Sequence, residues 1–271
     1  MRRESLTTTQ VQAILQMYAE GAATTQIASV FGFKSHVSIL SVLKQHGVKC
    51  RPASVTMRGK QNARKHLIQA DFFQRIQSEK QAYFLGILFA DGWVTKTGVI
   101  GLSLVDPEVV VGFQDAVGST VPVRIRPPKS PKHQPAHEIT FSCAEMARDL
   151  SMHGCVPRKS LTLEFPPLPP SLTHHFLRGY WDGDGWVMKD KKSNLRVGMC
   201  GSKPLLQAVV EWFHKQGLPE AKVHPHGRIF RFEFHGNKLA ATFRQLLFRD
   251  ATLAMVRKKL MLFDDITVTE T

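Results

Sequence analysis

Two stretches of this chain repeat one pattern, and few folds can satisfy both copies at once. The first reads Phe84-Leu85-Gly86-Ile87-Leu88-Phe89-Ala90-Asp91-Gly92-Trp93-Val94; the second reads Phe176-Leu177-Arg178-Gly179-Tyr180-Trp181-Asp182-Gly183-Asp184-Gly185-Trp186-Val187. Aligning Gly86 with Gly179, an offset of 93 residues, puts Ala90 on Gly183, Asp91 on Asp184, Gly92 on Gly185 and Trp-Val on Trp-Val. Each copy reads as a helix ending on a carboxylate. Ser78 with Gln81 is a capping-box start for the first, and Pro169-Pro170-Ser171 is a start signal for the second. Gly92 and Gly185 suit the position just past a helix end. Gly86 and Ala90, like Gly179 and Gly183, are four residues apart, share a helix face and allow close backbone approach. These four small residues are the expected interface between the two helices.

Helices packed that way bring Asp91 and Asp184 together, each at the negative end of a helix dipole. A divalent cation relieves the repulsion. Paired carboxylates form a hard oxygen site suited to Mg²⁺ or Ca²⁺, and metal ions at adjacent carboxylates are the usual arrangement for in-line phosphodiester hydrolysis. The repeat also sorts the acids: two residues before the shared Asp stands Phe89 in one copy and Asp182 in the other, so Asp182 is not demanded by what both copies do.

FLGILFADG and LRGYWDGDG resemble the LAGLIDADG motif of homing endonucleases, in the two-motif, single-chain form. The resemblance spans about Phe72 to Ile266. It implies an α+β fold of two pseudo-symmetric halves joined through their motif helices, with antiparallel sheets forming a saddle over double-stranded DNA. Asp91 and Asp184, with the backbone of Ala90 and Gly183, would hold Mg²⁺, with Ca²⁺ or Mn²⁺ as alternative occupants. A second echo, Val156-Pro157-Arg158-Lys159-Ser160-Leu161 against Met255-Val256-Arg257-Lys258-Lys259-Leu260, sets Lys159 and Lys258 99 residues apart. The resemblance places these lysines in the family's basic active-site position, where a cation stabilises developing phosphate charge. Asp106 and Ser202 are the nearest polar residues at the ends of the first strand pairs. The family cuts across the minor groove and leaves short 3′ overhangs.

Lys and Arg number 36 against 22 Asp and Glu, for a net charge of +14 and a pI near 9.9, which fits a polyanionic partner. No apolar run reaches membrane-spanning length and no signal-peptide core follows Met1-Arg2-Arg3. These features exclude a membrane protein and point to the cytoplasm of a bacterium or phage-infected cell, or to an organelle, rather than secretion. Cys50, Cys143, Cys155 and Cys200 form no CxxC pair, and neither His153-Gly-Cys155 nor His224-Pro-His226 has a second pair at zinc spacing. The expected state is reduced thiols in a monomer.

Residues 1–50 read as three short helices: Thr8–Glu20 with Val11, Ile14, Leu15 and Tyr18; a second capped by Thr24; and a third carrying Val37, Leu40 and Leu43. The stretch resembles the helix-turn-helix units of resolvases and transposases. Its third helix would present Lys34, Ser35, His36, Ser38 and Ser41 to a major groove. Residues 51–70 form a basic linker in which Arg58, Lys60 and Arg64 are candidate phosphate or minor-groove contacts. The motif halves follow as 71–165 and 166–271. Each reads as αββαββα, with predicted strands at Val99–Val105, Val121–Arg126, His137–Ser142, Val187–Lys189, Leu195–Cys200, Ala221–Pro225 and Arg228–Phe234. Arg124, Arg126, Thr140 and Ser142 in one sheet, and Lys189, Arg196, Lys222 and Arg231 in the other, are the expected DNA-facing side chains.

The function expected is site-specific double-strand cleavage at a long asymmetric target. The alternatives are a non-cleaving regulator of the same fold or an intron RNA maturase, and survival of both acids and both lysines favours the enzyme. An intein-embedded form is disfavoured, because residue 1 is not a nucleophile and the chain closes on Val268-Thr269-Glu270-Thr271.

Overall fold

The computed structural model describes residues 6–50, 66–128, 130, 131 and 133–263. The chain divides into two units, Met1–Lys65 and His66–Thr271. Arg58, Lys60 and Arg64 lie outside the described residues. Residues assigned to the end of the linker belong to the larger unit: the Leu67 amide donates to Thr120 Oγ1 at 2.9 Å and the Gln69 amide to Val117 O at 2.9 Å.

The smaller unit holds α1 (Thr8–Ala19), α2 (Thr24–Val30) and α3 (Val37–Gln45). Thr7 and Gln10 close a capping box on α1. Ile14, Ile27, Ile39 and Leu43 are fully buried between the helices. Three expectations shift. The N-cap of α2 is Ala23, whose amide is taken by the Gln26 side chain, so Thr24 is already helical. Val37 is 59% exposed, and Ile39 and Val42 take the core positions instead. Lys34, Ser35 and His36 lie in the turn before α3 rather than on it. Gly32, with φ of +70°, makes that turn in a region L side chains rarely adopt.

The larger unit runs α4 (Glu79–Ala90), β1 (Gly92–Val94), β2 (Val99–Leu104), α5 (Pro107–Ala116), β3 (Arg124–Arg126), β4 (Ala136–Ser142) and α6 (Ala144–Met152). The same order returns as α7 (Thr173–Asp184), β5 (Gly185–Lys189), β6 (Leu195–Gly201), α8 (Lys203–Lys215), β7 (His224–His226), β8 (Ile229–His235) and α9 (Asn237–Phe248), followed by α10 (Val256–Phe263). The two antiparallel four-stranded sheets have orders β1-β2-β4-β3 and β5-β6-β8-β7. This is the α+β, twice-repeated αββαββα architecture expected from the sequence. The strands β3 and β7 are shorter than expected: Val121 and Val123 precede β3, and the second turn sits at Gly227, with φ of +61°.

Strand alternation splits each sheet into two faces. Ile100, Leu102, Ile139 and Phe141 pack with Val110 and Phe113 of α5 and Met146 and Leu150 of α6; Val197, Met199, Phe232 and Phe234 pack with Val209 and Phe213 of α8 and Phe243 of α9. Both sets belong to one core. Through its middle run α4 and α7. Every residue of α4 from Ala82 to Phe89 is buried, as an all-round apolar helix requires, and its most extensive packing partner is α7.

Candidate active site

Glycine decides how α4 and α7 meet. A Cβ on Gly86 would lie 2.2 Å from Phe176 O, and one on Gly179 would lie 2.0 Å from Tyr83 O, so backbone touches backbone. Nearer the ends, a Cβ on Gly183 would stand 2.2 Å from the Ala90 Cβ and 2.6 Å from Asp91 Oδ2. The small residues therefore let the Asp91 carboxylate lie against the last turn of α7, beside Asp184. Gly92 and Gly185 lie just past the ends of α4 and α7, as expected, but not in left-handed backbone. Neither has a positive φ, and each opens a strand. A Cβ on Gly92 would meet Leu88 Cδ2 at 2.5 Å, and one on Gly185 would meet Trp181 Cδ1 at 2.1 Å. The chain folds straight back onto its own helix, which drops each acid at the junction of helix and sheet.

The electrostatics follow from that placement. Burial, then the charge of Asp184, push the Asp91 carboxyl up to about 6, with Asp106 adding to the rise and Lys258 and Lys159 opposing it. Burial also raises Asp184, against the Tyr180 hydroxyl and the same two lysines. That hydroxyl also sits 2.7 Å from Cys200 O, and its one proton can serve only one acceptor. Two partly buried carboxylates that resist ionising together are the kind of oxygen donors a divalent cation would take. Among the described residues no group of three or more His, Cys, Asp and Glu is placed to hold a metal. The hard oxygen donors here are the two carboxylates and neighbouring carbonyls, so water or phosphate oxygens would complete a shell.

Lys159 and Lys258 lie close enough to the paired acids for their charges to act on both. Both are buried, with side chains turned to backbone rather than solvent. Lys159 Nζ donates to Gly92 O at 2.6 Å. Lys258 Nζ donates to Trp181 O at 2.8 Å, Gly185 O at 2.6 Å and, more weakly, Gly183 O at 3.2 Å. Lys258 caps last-turn carbonyls of α7, where the helix dipole attracts it, whereas Lys159 sits on the carbonyl of Gly92, the first residue of β1 just past α4; both charges reach the paired acids. Burial lowers Lys258 to about 8. Gly183 O, expected as a metal ligand, thus already accepts a hydrogen bond from Lys258.

Asp106 and Ser202 are N-cap residues of α5 and α8 that tie the halves together. Asp106 grips Arg257 through both oxygens, at 3.1 and 3.0 Å, next to Lys258. Ser202 donates to Leu163 O, in the segment that follows Lys159. Arg257 was not foreseen; its place one residue before Lys258 was the available signal.

The outer faces of the sheets carry the charged and polar side chains. In the first, Arg124 pairs across from Glu138 in register, Arg126 bonds Glu138 at 2.7 Å, and Thr140 and Ser142 are exposed on the same face. In the second, Arg196, Arg231, Glu233, His224 and His235 share one face, with Arg196 ion-paired to Glu233 and Lys222 bordering the same concavity. Lys189 departs from expectation. It registers with buried Leu195, on the opposite face from the Met188–Arg196 pair. A period of two reverses a face with one step. Trp93 and Trp186, shared by both motif copies but not singled out as site residues, lay their indoles across Gly101 and Gly198 on these outer faces; a Cβ there would lie 2.1 and 2.5 Å from Cζ2.

No protein-family model matches the chain, and no curated protein does. Among solved structures, the homing endonuclease I-WcaI bound to its DNA recognition sequence is similar with a TM-score of 0.51 at 11% identity, covering 81% of this chain and 97% of that one. The meganuclease I-SmaMI bound to uncleaveable DNA gives 0.47 at 11% identity over 68% and 88%, and the N-terminal LAGLIDADG domain of DUF199/WhiA gives 0.45 at 14% over 71% and 93%. The paired motif helices, the two four-stranded sheets and the likeness to I-WcaI, which spans 97% of that chain, identify the architecture of the larger unit: it has the LAGLIDADG fold.

Proposed function

We propose that this chain is a metal-dependent endonuclease that cuts both strands of a long, asymmetric DNA target. The observation that carries this reading is the placement of Asp91 and Asp184 at the abutting ends of α4 and α7, between two sheets whose outer faces carry arginines, histidines and hydroxyls. The solved structure of similar fold, I-WcaI, is bound to its DNA recognition sequence. A net charge of +14 supplies long-range attraction to the duplex.

Asp91 and Asp184 would hold Mg²⁺, with Ca²⁺ or Mn²⁺ as substitutes; when bound, the ion supplies Lewis acidity and a water of lowered pKa. The chain's own residues do the rest. The glycine-lined contact of α4 and α7 fixes the spacing of the acids. Lys159 and Lys258, bonded to backbone carbonyls at the helix–strand junctions, keep positive charge beside them and favour their ionised form. Outer-face side chains orient the duplex, exchanging intramolecular pairs such as Arg126–Glu138 for phosphates and base edges. The halves differ in sequence, which makes the target asymmetric. In this reading the protein acts as a monomer, leaves short 3′ overhangs, and uses its N-terminal helices as a helix-turn-helix that lengthens the footprint.

The test is selection of a bound duplex from random-sequence DNA in Ca²⁺, followed by transfer to Mg²⁺. Staggered double-strand breaks by the wild type, and intact DNA with Asp91→Asn or Asp184→Asn at unchanged affinity, are the expected results. Tight binding without any break would assign the chain to non-cleaving regulators, and preference for structured RNA would assign it to maturases.

A further inference from the structure

The acid that the repeat discounts, Asp182, is fully buried on α7. Its Oδ2 accepts two hydrogen bonds at 2.7 Å, one from the Tyr83 hydroxyl of α4 and one from the backbone amide of Met255. Met255 ends a loop segment that other polar groups of the motif helices also grip. Glu79, in the first turn of α4, accepts from the Thr252 amide at 2.8 Å, the Thr252 hydroxyl at 2.6 Å and the Leu253 amide at 3.0 Å. Buried Arg178 of α7 bonds Glu79 at 2.6 Å and donates to Leu253 O at 2.7 Å and Leu247 O at 2.8 Å. Directly after Met255, α10 begins, and its first turn delivers Arg257 to Asp106 and Lys258 to the carbonyl end of α7.

The first half lacks this strap. At the 93-residue offset, Asp182 and Arg178 correspond to Phe89 and Leu85, and Glu79 to Leu172. A buried carboxylate is costly unless it does something a phenylalanine does not. We infer that Asp182 is a positioning residue for Lys258: by pinning Met255 it fixes the first turn of α10 and holds the Lys258 ammonium against the carbonyls that flank Asp184. This rests on the nuclease reading for its consequence, and on hydrogen bonds alone for its mechanism.

The discriminating experiment compares Asp182→Leu, Asp182→Ala, Asp182→Asn, Lys258→Met and the Asp182→Leu/Lys258→Met double variant in the full chain. Two measurements are made on each: amide hydrogen exchange of the 252–258 peptide, and single-turnover cleavage of the selected duplex in Mg²⁺, with tryptophan-fluorescence melting to confirm folding. Asp182→Leu, or Asp182→Ala if leucine does not fold, should speed exchange of that peptide at least about tenfold by releasing one local anchor. It should slow cleavage at least about tenfold with DNA affinity within about twofold. The double variant should cleave no slower than Lys258→Met within about twofold, because the two act in series. Asp182→Asn keeps an acceptor for both donors and should restore exchange and rate to near wild type. Multiplying effects in the double variant, wild-type exchange in a folded Asp182→Leu, or failure of Asp182→Asn to rescue would each overturn the inference. A wild type that binds the duplex without cutting it overturns the nuclease reading instead, and the exchange data still decide whether Asp182 pins the strap.

Discussion

Replacing Asp91 by Asn should make the protein more stable at neutral pH and useless as a metal site. Asp91 is pushed from its ordinary 3.8 to about 6 in the fold, by burial and by Asp184. A carboxyl whose folded value is raised keeps its full stability only below the unfolded value and loses it as pH rises through the window between the two. Here that window runs from about 4 to about 6. Each unit corresponds to about 1.4 kcal/mol, so ionised Asp91 opposes folding by about 1–3 kcal/mol above pH 6. Asp91→Asn removes that charge with little change of shape. At pH 7.5, without divalent ions, the variant should unfold at higher urea, with a gain of about 1–3 kcal/mol that disappears near pH 4. Added Ca²⁺ should reverse the order. At about 100 times Kd it stabilises the wild type by about 2.7 kcal/mol and leaves the variant unmoved. The Trp residues at 93, 181, 186 and 212 all lie in the larger unit, so fluorescence follows that unit alone. An Asp91→Asn protein less stable than the wild type at pH 7.5, or equally stabilised by Ca²⁺, would refute the like-charge pair.

Gly179→Ala should strongly destabilise the larger unit, since its Cβ would meet Tyr83 O at 2.0 Å and neither backbone can yield cheaply; a loss of roughly 3 kcal/mol or more is expected in urea melts. Lys258→Met should raise the Mg²⁺ needed for half-maximal cleavage by at least about fivefold, because the paired acids lose an opposing charge. DNA affinity should fall by about a thousandfold or more between 50 and 200 mM salt, as six or more phosphate contacts require. In that salt series Arg231→Ala should flatten the log–log slope by about one if it neutralises a phosphate, and Lys189→Ala, on the opposite sheet face, should not.

What could be read from the residues was set by periodicity and by glycine. The motif helices, their interface residues Gly86, Ala90, Gly179 and Gly183, and the repeated αββαββα order follow from small-residue spacing and alternation, which depend on local geometry. The destinations of long side chains do not. Lys159 and Lys258 stand beside the acids by an internal echo, yet nothing in that echo says that an ammonium on a four-carbon stem turns to the backbone carbonyls of Gly92 and Gly185, the first residues of β1 and β5. Asp182 looked dispensable because its repeat partner is Phe89, and its partners Tyr83 and Met255 are remote in sequence. Lys189 fell on the wrong face because a strand end fixes its phase only through pairing with Leu195. Lys34, Ser35 and His36 read from the sequence as part of α3, but the helix begins at Val37, whose side chain the fold leaves exposed, and the three residues fall in the turn before it.

The pairing of Asp91 and Asp184 around a cation is tested most directly by crystals of the protein with its selected duplex grown in Mn²⁺, imaged at the manganese absorption edge. An anomalous peak bonded to carboxylate oxygens of both residues, at the junction of α4 and α7 and facing a backbone phosphate, is the result predicted here. Density that places manganese elsewhere, or leaves the two carboxylates turned away from the DNA, would contradict it.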